Sequence, residues 1–331
     1  MSRTYRIPDL VARCPRKTHP INDNLVKLEE EHNQWIDSIP SFGERERAGC
    51  KSGQIPLFAS CCYPTADLEA LHAVVAHMNA LIILDHANDT ASIEEAEKNA
   101  TLFLSAFDDP STGLASPYKF VKLISSLASR TTAVISEAHK ADCRQANTAF
   151  ARATAQEALD RQTTEVDNVK LTFNTYIPTR RKSVAAPVFL VYARAINGLK
   201  VSPELLDDTI VKALELAVID IFIISNDILS YKKELKGEGV VHNLLTILMQ
   251  DPSTACLDLQ HAIDYAVNLF NQTLDRFTEY RSKLTRGEPQ LQAYANAMVD
   301  LFVGVIEWQL ASTRYNVFES DEDRFNGIMR L

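Results

Sequence analysis

Three oxygen-bearing side chains share one face of an otherwise apolar helical segment. In residues 221–234, IFIISNDILSYKKE, Asn226, Ser230 and Glu234 stand at i, i+4 and i+8. At about 100° per residue they drift by only about 80° over that span. The outer two side chains are long and the middle one is short, so both can bend toward a point above the Ser230 hydroxyl. An amide oxygen, a hydroxyl and a carboxylate so placed make a chelate for a hard cation. Mg²⁺ takes such ligands at about 2.1 Å and completes its octahedron with waters or phosphate oxygens. Asp227 lies about 100° around the helix and is expected to point away from that ion. The alternative is an ordinary solvated face near a helix end, and the apolar turns before it argue against that.

A second group follows the run LIIL at 81–84, which delivers Asp85, His86, Ala87, Asn88 and Asp89. Asp85 and Asp89 are i and i+4, on one face if the helix continues. A carboxylate set against an apolar run is costly without a compensating cation, so Asp85 is read as functional. Asp89 fits a functional role and a helix cap equally well. Cations complete the set: Arg180 and Arg181 follow Pro178, Lys233 flanks Glu234, and Arg314 with Tyr315 is expected to end the last long helix. A guanidinium beside a phenol hydroxyl suits phosphate oxygens.

The elements that must carry these residues are helical. Apolar periodicity predicts helices over 20–37, 65–84, 133–174, 187–197, 203–236, 255–283 and 290–316, with prolines between segments rather than within them. Ser92 and Glu95 have the spacing of a capping box opening another helix. The middle of the 203–236 segment is apolar on every face, which places it at the centre of the protein. Alternating strand patterns are nearly absent. The reading is one all-α domain over 1–331 with an irregular stretch at about 1–20.

Composition narrows the function classes. The 331 residues are 46% hydrophobic and 23% charged, enough to build a large core. The formal net charge of -9 disfavours non-specific binding to nucleic acid or to an anionic membrane surface. Glycine is scarce, at 10 residues, and neither GxGxxG nor GxxxxGK[ST] occurs. No apolar run reads as a bilayer span, the greasiest stretch being interrupted by Asp220. A polar N-terminus and six scattered cysteines without a CxxC fit a cytoplasmic chain with free thiols.

Taken in order, these features resemble the class I terpene synthases of the fungal sesquiterpene cyclase type. The resemblance spans nearly the whole chain. DHAND at Asp85–Asp89 aligns with the family's aspartate-rich motif, with His86 where an acid is usual. Asn226 to Glu234 matches NDxxSxxxE at every defined position, including Lys233. Arg314 and Tyr315 match a C-terminal Arg-Tyr pair, and Arg180 stands 46 residues before Asn226, where the family carries a diphosphate-sensing arginine.

The resemblance implies a class I terpenoid synthase helical bundle around a central apolar cavity. It implies an isoprenyl diphosphate substrate, most naturally farnesyl diphosphate, and three Mg²⁺ ions. Asp85, with Asp89 on the same face, would hold two of them, and Asn226, Ser230 and Glu234 the third. Arg180, Lys233, Arg314 and Tyr315 would clamp the diphosphate. An allylic cation needs a dry wall with π faces toward it, for which Phe58, Phe222, Phe302 and Trp308 are candidates. His86 is not expected to bind metal. A chain-elongating prenyltransferase of similar fold is the nearest alternative, though such enzymes carry two aspartate-rich motifs. A di-iron bundle would need two ExxH pairs; Glu29 with His32 and Glu69 with His72 fit that spacing. A helical interaction module would leave the Asn226 face unexplained. Oligomeric state and product identity are not readable from the sequence.

Overall fold

The computed structural model describes residues 3–16, 20–40, 42–132, 134–167, 170–236, 241–254, 256, 258–284 and 288–331, the side chains at 45 and 165–167 excepted. A short strand, β1 (Thr4–Arg6), precedes α1 (Leu25–Ser38), α2 (Glu44–Ser52), α3 (Ile55–Cys62) and α4 (Leu68–Asn88). Next come α5 (Ile93–Asp108), α6 (Pro110–Leu114), α7 (Lys119–Ala128), α8 (Glu137–Asp167), α9 (Phe173–Ser183) and α10 (Ala186–Ile196). The last third holds α11 (Pro203–Leu206), α12 (Thr209–Leu235), α13 (Leu244–Gln250), α14 (Leu259–Lys283), α15 (Pro289–Ala311), α16 (Asp321–Asn326) and β2 (Ile328–Arg330).

Local chemistry explains the helix starts. Asp67 caps α4 by accepting from Ala70 N at 2.8 Å. Ser92 and Glu95 form the expected reciprocal capping box on α5. The expected 203–236 helix divides because Asp208 turns out to be a cap, accepting from Ile210 N and Val211 N. Central α12 packs on α9, α10, α13, α14 and α15, and the run Ile221–Ile224 within it is buried on all faces.

Several sequence expectations need correcting. The expected 65–84 helix continues past Leu84 to Asn88, so Asp85 lies inside α4 rather than beyond it. The expected 133–174 helix gives way to α8 and α9, with residues 168–169 outside the described set. Pro178 lies within α9. α15 stops at Ala311, so Arg314 and Tyr315 belong to the returning C-terminal segment. That segment closes as β2 against β1, Tyr5 opposite Met329, which gives the stretch at 1–20 a strand it was not expected to have. Uniformly apolar α3 and polar α2 carried no periodicity to announce them. By length and composition α4 is apolar enough to cross a membrane, with a mean hydropathy of 1.4 over its most apolar window. However, 61% of that window is buried among other helices, as in a core helix.

The approach of α15 to α3 depends on Gly304. A Cβ there would lie 2.4 Å from Cys61 O and 2.6 Å from Cys62 N, backbone atoms that cannot swing aside. Gly304→Ala is therefore expected to destabilise the protein by about 3 kcal/mol, at the upper end of ordinary overpacking. A thermal or urea melt checks this; an unchanged midpoint would contradict the close packing.

Candidate active site

Asp227 is the fixed point from which the site is built. It is wholly buried on α12 and accepts hydrogen bonds from three residues in two other parts of the chain. Arg180 of α9 reaches Oδ1 through Nη2 at 2.8 Å and Nε at 3.2 Å. The Tyr176 hydroxyl donates to Oδ2, as does the backbone N–H of Leu244 at 2.9 Å. Burial alone would disfavour the charged guanidinium of Arg180, but Asp227, Tyr176, Glu157 and Glu234 together outweigh it and hold the pKa well above the usual value. Asp227 shares Arg180 Nη2 with Asn226, and through Arg180, Tyr176 and Leu244 it joins α9, α12 and the start of α13.

Around this anchor the sequence-selected residues converge. Asn226 Oδ1 accepts from Arg180 Nη2 at 2.9 Å, and Asn226 Nδ2 donates to Tyr315 Oη at 3.1 Å. Lys233 Nζ stands 5.8 Å from the centre of the Tyr315 ring. Its pKa is lowered by burial and by the nearby Arg314, against the opposing pull of Glu234, Asp85 and Asp89. From the other side, Asp89 keeps solvent-exposed surface, yet its carboxyl is pushed up to about 6 by partial burial and by Asp85. Lys233 and Glu234 lie close enough to act on it as well. The end of α4, the end of α12, α9 and the segment after α15 therefore face one region. Arg181 does not join them; it pairs with Asp220 at 2.8 Å. His86 is exposed on α4.

The oxygens of the trio suit a hard cation. Ser230 is buried, and its Oγ has no hydrogen-bond partner among the described residues. A buried hydroxyl left unsatisfied is costly unless a further group completes it, and a cation bound beside Asn226 and Glu234 would do so. Glu234 Oε2 is itself held, accepting from Asn243 Nδ2 at 3.0 Å. Asn243 also donates to Asp227 O at 2.9 Å and caps α13 by accepting from Leu245 N at 2.9 Å. Removing this orienting partner by Asn243→Ala is expected to weaken metal affinity by about 10–100-fold. Titration of Mn²⁺ in the presence of diphosphate measures this; wild-type affinity would show that Glu234 needs no such support. Among the described residues no three His, Cys, Asp or Glu side chains converge on one point. In particular, His72 bonds Glu31 at 2.6 Å while Glu69 is exposed, which removes the basis for a di-iron pair.

Sequence reasoning missed the inner face of α8. Glu157 is buried, hydrogen-bonded by the Ser183 hydroxyl, and pushed up to about 7 by burial, against the pull of Arg180. Arg161 donates to the carbonyl of Asn88 at the end of α4. His242 is kept neutral, its pKa lowered to about 3 by burial and by Arg161 and Arg180. None belongs to a motif; for Glu157 and Arg161 a polar residue on the inner side of α8 was the available signal, while His242 lies in the segment ahead of α13.

The four aromatic candidates are all buried. Trp308 packs edge-on against Phe58 and Tyr315, each with centroids 5.2 Å apart, and Phe302 packs against Phe277 at 5.3 Å. Phe58 and Phe302 have no accessible surface and so border no water-sized space in this structure; Phe222 and Trp308 keep a trace. A groove of about 850 Å³ lies elsewhere, on the outer side of α8 and α9 between Arg144, Arg152 and Lys182, and holds none of the four.

Residues 76–276, which contain both acidic motifs and Arg180, match the family described as terpene synthase family 2, C-terminal metal binding. The chain belongs to the terpene synthase family. Sesquiterpene synthase Agr1 of Cyclocybe aegerita is 27% identical over 93% of this chain and 88% of its own length. Alpha-muurolene synthase of Coprinopsis cinerea is 26% identical over 99% and 78%. Among solved structures, a-eudesmol synthase superposes with a TM-score of 0.75 at 18% identity, covering 90% of this chain and 98% of that one. That likeness establishes the all-α terpenoid synthase fold.

Proposed function

We propose that this terpene synthase is a Mg²⁺-dependent cyclase that ionises farnesyl diphosphate to a sesquiterpene hydrocarbon or alcohol and diphosphate. The observation that carries the reading is the meeting of two oxygen-donor groups, Asp85 with Asp89 and Asn226 with Ser230 and Glu234, beside Arg180, Lys233, Arg314 and Tyr315. The fungal relatives named as sesquiterpene synthases support the fifteen-carbon substrate. In this reading Asp85, with Asp89, holds two ions and the α12 trio holds the third. When bound, Mg²⁺ supplies the positive charge that draws electrons into the leaving diphosphate.

The chain's own residues do the rest. Arg180, Lys233, Arg314 and the Tyr315 hydroxyl bind the diphosphate oxygens and keep the leaving group from recombining or diffusing away. No protein nucleophile is needed, and the buried Ser230 hydroxyl serves as a ligand. Phe222 and Trp308 would offer apolar, aromatic surface to the cationic chain, with Phe58 packed against Trp308 and Phe302 against Phe277 to keep the surroundings rigid and dry. We place this activity in the cytoplasm and in one domain spanning the chain.

The test is turnover with and without metal. Excess chelator is expected to reduce product to background and added Mg²⁺ to restore it, since every donor in the site is a hard oxygen. Full turnover in chelator would contradict the assignment. Adding isopentenyl diphosphate separates the elongating alternative, which would yield longer prenyl diphosphates.

A further inference from the structure

The acidic end of α4 works against its own helix. Asp85 and Asp89 are like charges at i and i+4, a pairing that destabilises a helix surface. Both stand at the C-terminal end, where the helix dipole disfavours anions. The last turn has no Lys or Arg to offset them, only His86. Its final carbonyls also lack partners within the helix. On local grounds this turn should fray, and fraying would part the two carboxylates.

Two other helices supply what the turn lacks, and they meet on Asn88. This residue is 1% exposed, a place where a core helix ordinarily sets an apolar side chain. Its Nδ2 donates to Thr154 Oγ1 of α8 at 3.0 Å, and its Oδ1 accepts from Asn99 Nδ2 of α5 at 3.1 Å. The Thr154 hydroxyl gives its own proton to Ala151 O at 3.0 Å, so toward Asn88 it can only accept. Turning the amide over would therefore lose both bonds. Arg161, two turns beyond Thr154 on α8, donates to the Asn88 carbonyl. Its charge also acts on Asp89, favouring the carboxylate that burial and Asp85 disfavour.

We propose, resting on the reading of Asp85 and Asp89 as metal ligands, that Asn88, Asn99, Thr154 and Arg161 are positioning residues for them: they brace the last turn of α4 so that both carboxylates stay on one face before any cation arrives. None of the four need touch the substrate or an ion. The brace ties α4 to α5 and α8, so its loss acts on the ions that depend on Asp85.

Thr154→Val keeps the side chain's shape and removes the hydroxyl. The full-length variant is titrated with Mn²⁺ in the presence of inorganic diphosphate, and the free ion is read by electron paramagnetic resonance. Binding is expected to weaken about tenfold, the lower end of the range for removing support from a metal ligand. Thr154→Ser, which returns the hydroxyl, should restore it, and Thr154→Val should add nothing once Asp85→Asn is present. In turnover of farnesyl diphosphate, Thr154→Val should need about tenfold more Mg²⁺ for half its maximal rate and reach the wild-type rate at saturation. A merely structural loss would lower the maximal rate in step with a urea melt and leave the Mg²⁺ requirement unchanged; that result overturns the proposal. Should Thr154→Val not fold, Asn99→Ala, at a half-buried position, carries the same predictions. If Asp85→Asn weakens Mn²⁺ binding and neither brace variant does, the brace alone is wrong. If Asp85→Asn leaves Mn²⁺ binding unchanged, the metal-ligand reading falls and the brace with it.

Discussion

Asp227→Asn is expected to cost about 3–5 kcal/mol of stability, the range for removing one partner of a buried ion pair. The change conserves shape, yet it leaves the part-buried Arg180 guanidinium without its counter-charge. It also puts an amide NH₂ or a lone neutral oxygen where Arg180, Tyr176 and Leu244 N all donate. Turnover should fall with stability, because the same residue orients Arg180 and the start of α13. The helical wheel sets Asp227 off the face of Asn226, Ser230 and Glu234, and its bonds to Arg180, Tyr176 and Leu244 give it a different task, holding the neighbouring elements together. Asp220→Asn makes the control. Its partner Arg181 is 36% exposed, so that loss should stay within about 1 kcal/mol. Urea melts of the two variants decide this, and equal small losses would contradict the role given to Asp227.

The second large effect concerns Glu234. It is the single formal charge among the trio, so Glu234→Gln is expected to reduce turnover by about 10³-fold, the equivalent of about 4 kcal/mol of transition-state stabilisation. Ser230→Ala removes a neutral ligand that a water can partly replace; its loss should be smaller and partly recovered at higher Mg²⁺. If the two share one ion, as proposed, the double variant should lose less than the two single losses added in free energy. Turnover against Mg²⁺ concentration for the three variants measures this. Simple additivity would mean that Ser230 and Glu234 do not share a cation, despite the orphaned Ser230 Oγ.

What was legible in the sequence follows from which forces act locally. The ligand face of α12 was readable because helical spacing and side-chain type fix it within eight residues. The convergence of Asp85 with Arg314 and Tyr315 was not, since it depends on how α4 and the C-terminal segment pack. Only the family resemblance anticipated it. Helix ends were misjudged where a cap competed with an apolar run: Asp208 splits one expected helix, and α15 ends before Arg314. Asn243 looked like loop sequence because its three hydrogen bonds join residues that no periodicity connects. Glu157 and Arg161 were hidden within the long segment expected at 133–174, since a polar residue on a buried stripe is conspicuous only once the stripe is known.

The central claim is that this site ionises a fifteen-carbon diphosphate. Its most direct test is to incubate the purified full chain with geranyl, farnesyl and geranylgeranyl diphosphates in Mg²⁺, and to analyse the organic extract by gas chromatography with mass detection. The account predicts fifteen-carbon hydrocarbons or alcohols from farnesyl diphosphate, one diphosphate released per product, and none of either from Asp85→Asn, whereas His86→Ala keeps most of the activity. Intact farnesyl diphosphate after prolonged incubation with Mg²⁺, or equal loss in Asp85→Asn and His86→Ala, would contradict it.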